Sequence, residues 1–91
     1  MDAGLPYTTE EWPAGRPLYR AAYYKNESGI YAVVSDLHDT ELFTISRRSR
    51  AAAYEAGRTP QAVDHVISRE VVRRLEQEDW ENDALYVLDD A

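Results

Sequence analysis

Two runs of strand-forming residues, 18–25 (LYRAAYYK) and 30–36 (IYAVVSD), stand on either side of Asn26-Glu27-Ser28-Gly29. Aromatic and β-branched residues favour pleated backbone, and a short polar loop closing on glycine joins two such runs as a hairpin. The reading places Gly29 at positive φ, which a residue without Cβ adopts at no steric cost. Side chains then alternate between faces. Tyr19, Ala21 and Tyr23 share one face of the first strand, and Ile30, Ala32 and Val34 share one face of the second.

The rest of the chain supplies further strands and a cover. Residues 36–41 (DLHDTE) read as a turn, and 42–46 (LFTIS) as a third strand. The rival reading makes Asp39 a cap and runs a helix through Leu42, Phe43 and Ile45. Ser46 or Ser49 caps a helix over 50–56 (RAAAYEA), with Gly57 at its C′ position. Thr59-Pro60 opens a second helix as N-cap and first helical residue. Val63, Val66 and Ile67 start its apolar face, and Val71, Val72 and Leu75 continue it, rotated around the axis. Either this helix bends or it restarts at Ser68. Glu76, Glu78 and Asp79 oppose the negative end of the helix dipole, so the helix frays by Trp80. Residues 84–88 (ALYVL) form a last short strand.

Residues 1–16 contain Gly4, Pro6, Pro13 and Gly15 and read as an extended N-terminal arm. Thr8 and Glu11 have capping-box spacing for one helical turn, which Pro13 would end. The expected fold class is α+β: a small antiparallel β-meander of about three strands plus a short C-terminal strand, with two helices on one face. The domain occupies 17–91.

Ninety-one residues bury roughly two-thirds of their unfolded surface, which leaves little room for a deep enclosed active site. The chain has no cysteine, which removes disulfides and thiolate metal sites. It has no long apolar run and no basic-then-apolar leader at its start, so a cytoplasmic location with no membrane contact is expected. Asn26-Glu27-Ser28 fits a glycosylation sequon but reads as turn residues. His38 lies in Asp36-Leu37-His38-Asp39, where one histidine and two carboxylates make no metal cage. No phosphate-binding glycine loop, nucleophile elbow or cofactor motif orders the polar residues, so no cofactor is expected. An enzyme is the least favoured reading.

Charge is strongly segregated. Seven of the nine arginines fall within 47–74, where they exceed the carboxylates by four, in a chain of net charge −7. Arg69, Arg73 and Arg74 have helical partners in Glu70, Glu76 and Glu78, with Glu70–Arg74 in the favourable order. Arg47, Arg48 and Arg50 lack such neighbours and stand at a helix N-terminus, where the dipole disfavours cations. With Arg58 they form a candidate partner-binding face. Tyr19, Tyr23, Tyr24 and Tyr31 all lie on the hairpin. One helix layer covers one sheet face, so some of them face a partner; Tyr23 and Tyr31 are the candidates. A third candidate is the acidic flank Glu76, Glu78 and Asp79, which could imitate nucleic-acid phosphate.

Residues 49–66 (SRAAAYEAGRTPQAVDHV) have the spacing of a helical hairpin: Ala53 small at a crossing, Gly57 in a turn, Val63 and Val66 buried after it. This stretch resembles the helix-turn-helix of many bacterial regulators. The resemblance implies DNA contacts from Thr59, Gln61 and His65, with Arg47 and Arg50 on phosphates. Arg58 stands where that family places an apolar residue, and Asp64 would face phosphate.

The favoured function is non-enzymatic binding of another protein by a small regulator or inhibitor, of the sort that mobile elements or phages encode. A helix-turn-helix DNA binder is the alternative and a small enzyme the second alternative. The oligomeric state is open, and a homodimer fits.

Overall fold

A computed structural model describes residues 4–59 and 62–89 of the chain. In chain order the elements are β1 (Thr8–Trp12), β2 (Tyr19–Asn26), β3 (Gly29–Asp36), β4 (Glu41–Arg48), α1 (Arg50–Arg58), α2 (His65–Gln77) and β5 (Ala84–Asp89). They build an α+β fold. The strands make one five-stranded sheet in sequence order, and both helices pack on the same face of it.

The hairpin forms where the sequence placed it. Asn26 pairs with Gly29, and the Asn26 side-chain oxygen accepts from Ser28 N at 2.9 Å and Gly29 N at 3.0 Å. The reason for Gly29 differs from the expectation. Its φ is not positive; instead a Cβ there would lie 2.1 Å from the Arg47 carbonyl oxygen of β4. The residue is glycine because a neighbouring backbone passes close to it.

Residues 42–46 are strand, within β4, and not helix. The β3–β4 register shifts between Val34 and Ser35, and Leu42 is the unpaired bulge residue. The sheet has more strands than expected. Thr8–Trp12 is an edge strand paired with β2 and not a helical turn, so the supposed arm contributes to the sheet. β5 pairs parallel to β4. A parallel neighbour needs a crossover, and α1 and α2 supply it.

Ser49 caps α1, accepting from Ala52 N at 3.1 Å. Gly57 lies inside α1 and Thr59 is its C-cap, so neither plays its expected role. Pro60 lies outside the described residues. The second helix starts later, with Asp64 as N-cap accepting from Ile67 N at 3.0 Å. It runs unbroken through Ser68 and stops at Gln77, with Glu78 left-handed at φ 51°. Its buried stripe is Ile67, Val71 and Leu75, at four-residue spacing; Val63 is half-buried and Val66 is exposed.

The core lies between this stripe, Ala52 and Ala56 of α1, and the inward residues Ala21, Tyr23, Ala32, Val34, Phe43 and Ile45 of the sheet. Trp80 closes one end, 5.4 Å from the Phe43 ring and 6.2 Å from Tyr19. Among the described residues no helix is long and apolar enough to cross a membrane.

Candidate functional site

Because both helices pack on one face, the side chains that alternate with the core residues are left without a cover among the described residues. The registers align them in rows. Thr9, Ala22, Val33, Thr44 and Leu85 lie directly across from one another on the five strands. Tyr24, Tyr31, Ser46 and Val87 form the adjacent row on four of them. Neither row contains a charged residue, in a chain of which 30% is charged. Tyr24 and Tyr31 stack with ring centroids 5.1 Å apart and planes 13° apart. Partial burial, and secondarily Tyr24, raises the Tyr31 phenol pKa. Leu85 is 61% exposed and Val87 42%. Charge appears only at the margins: Arg20 with Glu11 at 3.5 Å, both about half exposed, and Arg48 at the opposite end. An uncharged centre with aromatics and a charged rim is the usual composition of a protein-binding patch.

The arginine trio is not brought together. Arg47 turns to the helix side, where its Nη1 lies 2.6 Å from Asp64 Oδ2 in a mostly buried pair. Arg48 points with the uncovered face, and Arg50 starts α1; neither makes an ion pair among the described residues. Arg58 is exposed, 5.8 Å from the Tyr54 ring centroid and 3.9 Å from Glu55. Arg47 is therefore a structural residue before it is a partner contact.

Tyr23 is also corrected. It is fully buried, so it cannot touch a partner. Its hydroxyl donates to Glu10 at 2.9 Å, and Ser68 donates to the same carboxylate at 2.8 Å. This carboxylate ties edge strand β1 to both β2 and α2. Burial first, and the Glu10 charge second, push the Tyr23 phenol pKa far up.

Of the acidic flank, Glu76 and Glu78 are exposed, while Asp79 lies 3.3 Å from Arg73 and 3.5 Å from Arg74. Glu70 bridges the same two arginines at 2.9 Å each, and the Arg73 hydrogen bond leads in holding its carboxyl below the usual range. Arg74 also sits 3.5 Å over the Tyr86 ring. This cluster fastens α2 to β5.

Among the described residues the helix-turn-helix geometry does not form. Each helix packs on the sheet rather than on the other, and α1 continues through the supposed turn glycine. Thr59 donates its hydroxyl to Glu55 O at 2.9 Å, and His65 is exposed at the start of α2. Gln61 lies outside the described residues.

A groove of about 400 Å³ between α1 and the start of α2 is lined by Tyr7, Ser49, Ala52, Val63 and Asp64. The Tyr7 hydroxyl is buried there with no hydrogen-bond partner among the described residues, and burial followed by Asp64 raises its pKa to about 12. A phenol so disposed is a poor acid or base near neutral pH. His38 is exposed, and its backbone N donates to Asp36 Oδ1 at 2.8 Å. No group of three metal-ligating side chains occurs among the described residues.

The uncovered face is the feature sequence reasoning missed in part. Tyr31 was a candidate, but Tyr24, Val33, Thr44, Leu85 and Val87 were not. The signal was present in the alternation: if Tyr23 faces the core, Tyr24 cannot. Compared with known proteins, the chain matches no family model, no curated protein and no solved structure.

Proposed function

We propose that this protein is a non-enzymatic protein-binding domain of regulatory or inhibitory type that docks its partner on the uncovered sheet face. The observation that carries this reading is the pair of uncharged rows around the Tyr24–Tyr31 stack. Exposed charge keeps a small domain apart from other proteins, and this face has almost none at its centre.

The size of the face sets what a partner must do. Five strands at about 4.8 Å spacing and five to six residues at about 3.3 Å give a footprint near 24 Å by 18 Å. That is on the order of 430 Å², against about 800 Å² per side in a standard interface. A tight partner therefore also reaches over a rim, where Arg20, Glu11 and Arg48 supply orientation. Burial of a Leu or Val side chain contributes about 1.5–3 kcal/mol, so Leu85, Val87 and the tyrosines suffice as anchors.

The test is affinity capture from source cells with wild type and with Thr44→Lys, run with and without nuclease. Thr44 lies mid-face, between Val33 and Leu85. The expected result is a discrete protein bound by wild type in both nuclease arms and lost with Thr44→Lys, whose circular dichroism stays unchanged. A partner that survives Thr44→Lys, or that vanishes with nuclease, contradicts the reading.

A further inference from the structure

We infer that a groove at one end of the sheet, between the 36–41 turn and the 78–83 loop, docks a lysine- or arginine-rich segment of another protein through one large apolar side chain. The groove shares no residue with the two uncharged rows of the sheet face, and it calls for a partner of different chemistry.

The groove holds about 420 Å³ and is lined by Leu18, Tyr19, Leu37, His38, Leu42 and Trp80, together with Asp36. Folding explains part of this apolar surface. Trp80 packs its ring against Phe43 and Tyr19, and Tyr19 and Leu42 lean on the core. Folding does not explain the two other leucines. Leu37 stands in a tight turn, where Asp36 Oδ1 accepts from His38 N at 2.8 Å and from Thr40 N at 3.0 Å. Polar residues and glycine ordinarily fill such a turn. Leu37 is 58% exposed, and Leu18, just ahead of β2, is 51% exposed. Neither packs against the core cluster. Scattered single leucines need no explanation on a surface, but two that line one groove with a tryptophan form a patch that a partner can cover.

Charge decides the occupant. Segments 36–41 and 78–83, which supply Leu37 and Trp80, carry seven carboxylates and no lysine or arginine. They are Asp36, Asp39, Glu41, Glu78, Asp79, Glu81 and Asp83, and all but Asp36 are exposed. Among the described residues only Asp79 of this set is ion-paired, to Arg73 and Arg74. Arg16 and Arg20 flank Leu18 in sequence, and Arg20 is already engaged by Glu11 at 3.5 Å. The surroundings of the groove are therefore strongly negative. A field of that sign draws in a cationic segment and repels nucleic acid, anionic lipid and the same end of a second copy. The carboxylates alone would only keep the domain soluble. The groove gives the attracted segment a place to bury an apolar side chain, so charge sets the encounter rate and the leucines hold the complex.

The test is an amide chemical-shift titration of the full chain with a short synthetic lysine-rich peptide carrying one central leucine, taken to about 1 mM. Two control peptides replace the leucine by serine or every lysine by glutamate. Saturable shifts are expected at Leu18, Leu37 and the Trp80 indole. They should be absent with the glutamate peptide and need about tenfold more of the serine peptide. Leu37→Ser should weaken the leucine peptide by a similar factor with an unchanged melting curve, because the side chain is exposed. Glu41→Lys with Glu81→Lys should weaken it several-fold, as should raising the salt to about 0.5 M. No shift at the groove, equal affinity for the leucine and serine peptides, or normal binding by Leu37→Ser would each overturn the inference. Thr44→Lys should bind the peptide as wild type does. Shifts that appear instead at Tyr31 and Val33 and vanish with Thr44→Lys would overturn the groove and leave the sheet face standing.

Discussion

Arg47 and Asp64 meet at 2.6 Å between β4 and the start of α2, and the same carboxylate caps that helix. Oδ2 faces the guanidinium while Oδ1 accepts from Ile67 N. One side chain thus fixes where α2 begins and satisfies a charge that reaches in from the sheet.

Asp64→Ala removes both roles and should cost about 2–4 kcal/mol, a cap worth about 1 plus a mostly buried cation left exposed to poor company. Asp64→Asn keeps the cap and should cost about half as much. Urea titration distinguishes them; equal losses for the two variants would mean that the ion pair contributes nothing.

Glu10 holds β1 in place by accepting from Tyr23 and Ser68. Glu10→Ala leaves the buried Tyr23 hydroxyl and the half-buried Ser68 hydroxyl without this acceptor, so a loss of about 2–3 kcal/mol is expected, whereas Tyr23→Phe should cost about 1 kcal/mol. Hydrogen exchange at residues 8–12 is the sharper readout. Their amides should lose protection in Glu10→Ala while β3 keeps its own.

Gly29→Ala should destabilise by about 1–3 kcal/mol or more, because its Cβ would meet the Arg47 carbonyl at 2.1 Å and backbone cannot swing aside. A thermal melt decides it. An unchanged midpoint would mean that β3 and β4 separate there at little cost.

On the alkaline side, burial raises the phenol pKa of Tyr7 to about 12 and that of Tyr23 further. A raised folded pKa gives stability that is complete below the unfolded value near 10 and is lost as pH climbs through the folded one. Stability should therefore fall above about pH 10. These two phenols should ionise together with loss of the circular-dichroism signal. Ionisation of Tyr7 and Tyr23 with the fold intact would contradict this.

What the sequence made legible were features that short stretches decide. The β2–β3 turn, the strand character of 42–46, the α1 cap at Ser49 and the Glu70–Arg74 pairing follow from neighbours. What stayed hidden depends on distant residues. Thr8 and Glu11 suit a helical turn, but pairing with β2 and the Glu10 contacts to Tyr23 and to Ser68, 58 positions away, hold them as strand. Thr59-Pro60 is a good helix start on propensity, yet Asp64 wins because Arg47 holds it. The docking candidates mixed Tyr23 with Tyr31, which the hairpin register puts on opposite faces: Tyr31 lies across from Tyr24, and Tyr23 across from Ala32. Pairing Asn26 with Gly29 and counting outward separates them.

The central claim is that the uncovered sheet face is the binding surface. The most direct test is a photo-crosslinking amino acid placed singly at Tyr31, Val33 or Thr44, and at exposed Tyr54 or Arg69 on the helix side, in source cells. The account predicts a discrete adduct with one other protein from the sheet positions and none from the helix positions. Adducts confined to Tyr54 and Arg69 would contradict it.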